Sequence, residues 1–250
     1  MNNKAVLFGI DYSSSYNLLN DYKSHTTEIY TMKHFLENKL NFENVEIFTD
    51  VTNDKDVSGR YIIEKLSLIM NESKIRKWDT LWIHFCGYAC VDDELDGCFL
   101  PKDYKSFGTI KQETFILIFQ QLYEHTKLIC IFDCCQSKPF NDFKYYYAFE
   151  KDKMIIHKNY KFDSNLSKKN IIIISNYDDK DNITWSSGVM TKFIIFIFNQ
   201  NINFSLMDIL SRLQRLLKLE NYSCIPTLTS SLSITNTDRL FIKTTNKFRY

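Results

Sequence analysis

The sequence predicts an α/β fold, a mostly parallel β-sheet flanked by helices on both faces. Three observations carry this. Short apolar runs alternate with helical patterns of similar or greater length, and such alternation implies right-handed crossovers between parallel strands. The apolar runs are continuous, as in strands covered on both faces. Six glycines and three prolines in 250 residues are too few for an all-β fold with many tight turns, and they exclude collagen-like and low-complexity chains.

The elements follow in order. Residues 6–10 read as a buried strand. Residues 27–40 carry Ile29, Met32, Phe35, Leu36 and Leu40 at helical spacing. Residues 45–49 form a second strand, and 56–70 a helix with Ile62, Ile63, Leu66, Ile69 and Met70 on one side. A third strand spans 80–88, a helix 112–123 and a fourth strand 127–133. A fifth strand at 170–175 precedes helices at 188–199 and 205–219, the latter with Leu206, Ile209, Leu210, Leu213, Leu216 and Leu217. Residues 240–243 are a last strand. The polar stretch 142–169, rich in tyrosine and lysine, is expected to be a long loop or an excursion. No repeat or linker divides the chain. A single domain over 1–250 is expected, with a larger part at 1–141, the loop at 142–169 and a smaller part at 170–250.

Composition narrows the function. Lysine plus arginine total 31 and aspartate plus glutamate 30, a net charge of +1. A chain this neutral is not built around nucleic acid or an anionic membrane. Its longest apolar run, residues 193–198, falls far short of the roughly 18 residues that span a bilayer. The N-terminus carries no apolar signal core with a cleavage site. Six of the seven cysteines lie between Cys86 and Cys135, which suits reduced thiols and a cytoplasmic protein rather than a disulfide framework.

In open parallel sheets chemistry lies beyond the C-terminal ends of the strands. The most informative end is Ile131-Phe132-Asp133-Cys134-Cys135-Gln136-Ser137. Side chains alternate along a strand, so Asp133 and Cys135 share one face while Cys134 joins Cys130 and Phe132 on the other. Cys135 is the candidate nucleophile, although buried cysteines are usually inert. The second end is Leu81-Trp82-Ile83-His84-Phe85-Cys86-Gly87-Tyr88-Ala89, where His84, Cys86 and Tyr88 share a face by the same alternation.

Together these stretches resemble the metacaspases, within the caspase-like clan of cysteine peptidases. In that family the strand ends in His-Tyr-Ser-Gly-His-Gly, and the nucleophile lies in Asp-Cys-Cys-His-Ser-Gly. This chain has Asp133-Cys134-Cys135 and Ser137, with Gln136 in place of the His and Lys138 in place of the Gly. The resemblance continues at residues 4–12 (opening strand), 32–36 (first helix), 96–104 (a Leu-Pro-x-Asp segment), and 175–179 and 226–231 (small-subunit motifs). It implies a caspase-like fold and a cysteine endopeptidase acting on peptides or proteins at Lys or Arg; a monomer is expected.

The resemblance also assigns roles. Cys135 is the nucleophile, and the catalytic histidine's position falls on Tyr88. His84 matches an earlier, non-catalytic histidine. Four residues at about 3.3 Å each place His84 roughly 13 Å below Tyr88, so both cannot serve one thiol. A phenol with a pKa of about 10 does not cycle as base and acid near pH 7 as imidazole does. The expected protein is a pseudo-peptidase or a strongly impaired enzyme. The oxyanion hole would use the backbone of Ala89 and Cys135, with Ala89 replacing a glycine. The basic-residue pocket would use Asp133, Cys86, Glu28 and His25; Glu28 also reads as an ordinary helix N-terminal acid. Calcium activates many relatives, and Asp142 or the acidic loop of Asp92, Asp93, Glu94 and Asp96 has the oxygen chemistry calcium prefers.

Three other readings compete. His84, Cys86, Cys90 and Cys98 could be zinc ligands, but their spacing is poor for a tetrahedral site. A receiver or flavodoxin-like module would use Asp11 and Asp50, but the chain is long for one and has no glycine-rich phosphate loop. A caspase-fold protein that binds peptides or partner peptidases without cutting is the serious rival.

Overall fold

Ten strands and six helices build the fold in a computed structural model that describes residues 2–12, 25–52, 54–91, 97–135, 140, 142–150, 153–177 and 188–240. The first half runs β1 (Asn3–Gly9), α1 (His25–Leu40), β2 (Asn44–Thr49), α2 (Gly59–Arg76), β3 (Thr80–Val91), β4 (Gly97–Phe99), α3 (Tyr104–Phe107), β5 (Ile110–Lys111) and α4 (Gln112–Phe119). The second half runs β6 (Lys127–Cys135), β7 (Tyr145–Glu150), β8 (Lys153–Lys158), β9 (Asn170–Tyr177), α5 (Val189–Gln200), α6 (Leu206–Leu219) and β10 (Ile225–Ser230).

The main sheet has the order β2-β1-β3-β6-β9-β10-β7-β8, with β4 and β5 extending from β3. The first five strands are parallel, and β10, β7 and β8 add on antiparallel. Both faces are covered, as the unbroken apolar runs require. Phe8, Phe85, Cys130, Phe132 and Cys134 pack against Ile62 and Leu66 of α2 and Phe115 and Phe119 of α4. Leu7, Trp82, Ile129 and Ile131 pack against Ile29 and Met32 of α1, Ile194 of α5 and Leu210 of α6. The sequence placed Cys134 on the core face with Cys130 and Phe132, and there it lies.

Local chemistry sets the helix ends. Ser58 accepts from the Tyr61 N–H at 3.4 Å to start α2, and Lys77 closes it in the left-handed region at φ 49°. Asp103 accepts from Gly59 N at 2.8 Å, fastening the Leu-Pro-x-Asp segment to the same helix start. Ser205 and Asp208 form a reciprocal capping box on α6.

At 142–169 the structure shows an excursion of the chain rather than a loop. Much of this stretch is the β7–β8 hairpin, which widens the sheet. The run Tyr145-Tyr146-Tyr147 hides its alternation because both faces carry the same residue type. Tyr147 is buried, and its hydroxyl accepts from Ile234 N at 2.8 Å. The outer strand β8 carries Lys153 and Lys158 at its ends, charges that discourage edge-to-edge pairing. Of the expected strand at 240–243, Leu240 is described and buried, and 241–243 lie outside the described residues. Among the described residues no helix is long and apolar enough to cross a membrane.

Candidate active site

The C-terminal ends of β1, β3, β6 and β9 meet the starts of α1 and α5. A chain of polar contacts fixes α1. Lys102 Nζ donates to Asp50 Oδ2 at 2.8 Å in a buried ion pair, and Asp50 Oδ1 accepts from Asp11 N at 2.8 Å. Asp11 Oδ1 in turn accepts from Thr26 N at 3.1 Å. This sets the helix start that carries His25 and Glu28, both buried.

Tyr88 is the last residue of β3 in register with β6, and its partner is Cys135. For Cys135 the described part is the backbone. The Tyr88 ring lies against two others, Tyr12 at 5.0 Å and His25 at 5.2 Å between centroids, the latter edge-on at 88°. The Tyr12 hydroxyl accepts from Tyr88 N at 3.1 Å and donates to Leu100 O at 2.6 Å. Burial pushes the Tyr12 phenol well above its ordinary pKa, so it remains a neutral donor. Tyr12 itself sits at φ 56°, whereas Ala89 is not in the left-handed region.

Below Tyr88, Cys86 Sγ lies 3.7 Å from His25 Nδ1, and both side chains are buried. Burial lowers the His25 pKa, against the pull of Asp11 and Asp50, and this favours a neutral imidazole. His84 lies deeper on β3, opposite Ile131 rather than Cys135, and is fully buried.

The acids converge from β6 and α1 on the first turn of α5. Asp133 is fully buried, and its Oδ2 accepts from both Thr191 N and Thr191 Oγ1 at 2.7 Å. Gly188 N also donates to this carboxylate, and Asn176 Nδ2 lies 3.4 Å from Oδ1. Burial raises the Asp133 pKa to about 6, opposed by the Thr191 and Gly188 bonds and reinforced by the charge of Glu28. The Thr191 hydroxyl has one proton and gives it to Asp133. His84 Nε2, 2.9 Å away, must therefore carry the proton it shares with Thr191 Oγ1, which makes His84 the Nε2–H tautomer. Its Nδ1 has no hydrogen-bond partner among the described residues, and burial lowers its pKa to about 3. Gly188 sits at φ 84°, and a Cβ there would come within 3.0 Å of Glu28 Cγ.

Residues 3–144 match the family of the metacaspase, peptidase C14 domain. The chain belongs to the metacaspase family. Similar relatives include metacaspase-5 of Trypanosoma brucei brucei, 22% identical over 63% of this chain and 36% of that protein. Metacaspase-1B of Aspergillus oryzae is 27% identical over 58% of this chain and 36% of its own length. Metacaspase III c of Phaeodactylum tricornutum is 26% identical over 66% and 52%. The chain thus spans about a third to a half of the length of these curated relatives. The crystal structure of a protein from Geobacter sulfurreducens superposes with a TM-score of 0.62 at 12% identity, covering 96% of this chain and 98% of that one, a likeness of fold.

In this metacaspase-family chain the structure brings Tyr88, Cys86, His25, Asp133 and Glu28 together at the paired ends of β3 and β6 and the starts of α1 and α5. Asp142 is exposed, and its carbonyl accepts from Asp163 N at 3.0 Å. The described residues contain no cluster of three or more His, Cys, Asp or Glu able to hold a metal, so His84, Cys86, Cys90 and Cys98, the competing zinc reading, do not converge. The acidic loop at 92–96 and residues 136–138 lie outside the described residues. Sequence reasoning missed Tyr12, Lys102, Gly188, Thr191 and Lys192. Lys102 was legible only as part of the Leu-Pro-x-Asp segment, and Thr191 carried no signal because its role depends on how α5 docks.

Proposed function

We propose that this chain is a cysteine endopeptidase scaffold for Lys and Arg sites whose turnover is strongly impaired because Tyr88 stands where an imidazole is required. The observation that carries this reading is the pairing of Tyr88 with Cys135 at the ends of β3 and β6, with His84 held deeper in the sheet by Thr191. Thiol attack on a peptide carbonyl needs a group that takes the sulfur's proton and returns it to the leaving amine. An unperturbed thiol is only a few per cent thiolate at pH 7, and losing the acid–base group typically costs about 10²–10⁴ in rate. A phenol donates a hydrogen bond to a thiolate but does not perform this cycle. The backbone N–H groups of Ala89 and Cys135 would stabilise the oxyanion. Asp133 and Glu28 supply the charge for a basic side chain. The lysine-bearing edge strand β8 supports a monomer, and the many cysteines support a reducing, cytoplasmic setting.

A second reading keeps the chain active. The His25 ring meets Tyr88 edge-on at 5.2 Å, so a neutral imidazole is present beside the site although not on β3. Here the Cys135 proton would pass to His25. Fluorogenic Arg and Lys peptides, offered with and without calcium, separate the readings. Turnover by the native chain that is lost in both Cys135→Ala and His25→Ala supports the second reading. Binding of such peptides without turnover supports the first.

A further inference from the structure

Two consecutive residues of α5 meet both acids of the candidate pocket. Thr191 gives its N–H and its hydroxyl to Asp133, each at 2.7 Å, and Lys192 brings Nζ to 3.1 Å from Glu28 Oε1. We infer that the first turn of α5 fills the basic-residue pocket from within, and that Lys192 is a built-in competitor for the Lys or Arg side chain of a peptide. This rests on the pocket proposed above.

The exposures of the two partners support it. The Glu28 side chain is 7% exposed, while that of Lys192 is 51% exposed. The acid is part of the interior, and the cation reaches in from water. A buried carboxylate needs a cation or hydrogen bonds to offset its lost hydration. Among the described residues Lys192 supplies this for Glu28. Gly188 allows the close approach, because any Cβ there would press on Glu28 Cγ at 3.0 Å.

The two acids are held differently. Thr191 is fully buried and bonded by backbone as well as side chain, so Asp133 is not readily released. Lys192 is a point charge on a flexible stem, half in water, and it can swing away from Glu28. Exchange with an incoming basic residue therefore takes place at Glu28. A guanidinium, which binds carboxylates through two parallel hydrogen bonds, displaces an ammonium more readily than another ammonium does. The pocket should prefer Arg to Lys.

The test is titration of the full chain with N-acetyl-L-arginine amide, followed by ligand-observed NMR, so that no turnover is needed. The expected result is that Lys192→Met tightens binding by about three- to tenfold, the range for a part-exposed ion pair. Lys192→Arg keeps the competing charge and gives no gain, and Glu28→Gln in the Lys192→Met background removes the gain. Circular dichroism checks the fold of each variant. Should Glu28→Gln not fold, the contrast between Lys192→Met and Lys192→Arg still decides. Unchanged or weaker binding by Lys192→Met, with Glu28→Gln still reducing binding to the native chain, overturns the competitor and leaves the pocket standing. No binding to either native or Lys192→Met protein, or binding indifferent to both Glu28→Gln and Asp133→Asn, overturns the pocket and the competitor together.

Discussion

Tyr88 and Cys135 are the last residues of β3 and β6 held in register with each other. In a parallel sheet the strand ends on one side form a rim, and side chains there meet whatever enters from beyond it. The remaining groups of the candidate site are built around this pair. Its upper wall is Tyr12 and His25, and its floor is Cys86, Asp133 and Glu28 with the start of α5 behind them.

Asp133 and His84 respond to pH in opposite senses. The Asp133 pKa is raised to about 6, so its neutral form favours the fold; that contribution is complete below about pH 4 and lost as pH rises to about 6. The His84 pKa is lowered to about 3, so its neutral form favours the fold; that contribution is complete above about pH 6.5 and lost as pH falls towards 3. A tenfold change in proton affinity corresponds to about 1.4 kcal/mol, so each group is expected to influence stability by a few kcal/mol. Between pH 4 and 6 the two slopes oppose. Thermal unfolding across this range should show Asp133→Asn steepening the rise of Tm with pH, and His84→Gln turning it towards a fall. Variants that change the slope in the same sense would contradict the assignment.

The Lys102–Asp50 ion pair is expected to be a strong structural contact. Removing one partner of a buried pair typically costs about 3–5 kcal/mol because a charge is left unpaired. Lys102→Met should therefore unfold at markedly lower denaturant than the native chain. Adding Asp50→Asn, which keeps an acceptor for Asp11 N, should recover part of the loss. Equal stability of Lys102→Met and the native chain would show that water already satisfies Asp50.

The architecture was legible where patterns are local and long. Strands β1, β3, β6 and β9 and helices α1, α2 and α6 follow from apolar runs and helical spacing alone, and the two candidate site strands were singled out by the acid and thiols at their ends. The β7–β8 hairpin was not legible. Its tyrosines show no alternation, and its burial depends on pairing with β10, some 80 residues later. The pocket was half legible. The resemblance pointed to Asp133 and Glu28, but their partners Thr191 and Lys192 are ordinary residues until α5 docks. His84 was readable as a core residue from strand geometry, while its bond to Thr191 was not.

A side chain at Gly188 should be costly. Its φ of 84° disfavours any residue with a Cβ, and a Cβ there would lie 3.0 Å from Glu28 Cγ, so the Glu28 side chain would have to shift. Gly188→Ala is expected to cost about 1–2 kcal/mol, lowering Tm by several degrees in a chain of this size. A melting curve identical to that of the native chain would place α5 differently relative to Glu28.

The central claim is that the site lacks its acid–base group because of Tyr88. The most direct measurement is cleavage of a fluorogenic Arg peptide by the native chain, by Tyr88→His and by Tyr88→His combined with Cys135→Ala, at equal concentration and about pH 7.5, where an imidazole is largely neutral. The account predicts little or no turnover by the native chain, about 10²–10⁴-fold more in Tyr88→His, and none once Cys135 is removed. Robust Cys135-dependent turnover by the native chain, with no gain in Tyr88→His, would contradict it and turn attention to His25 as the base.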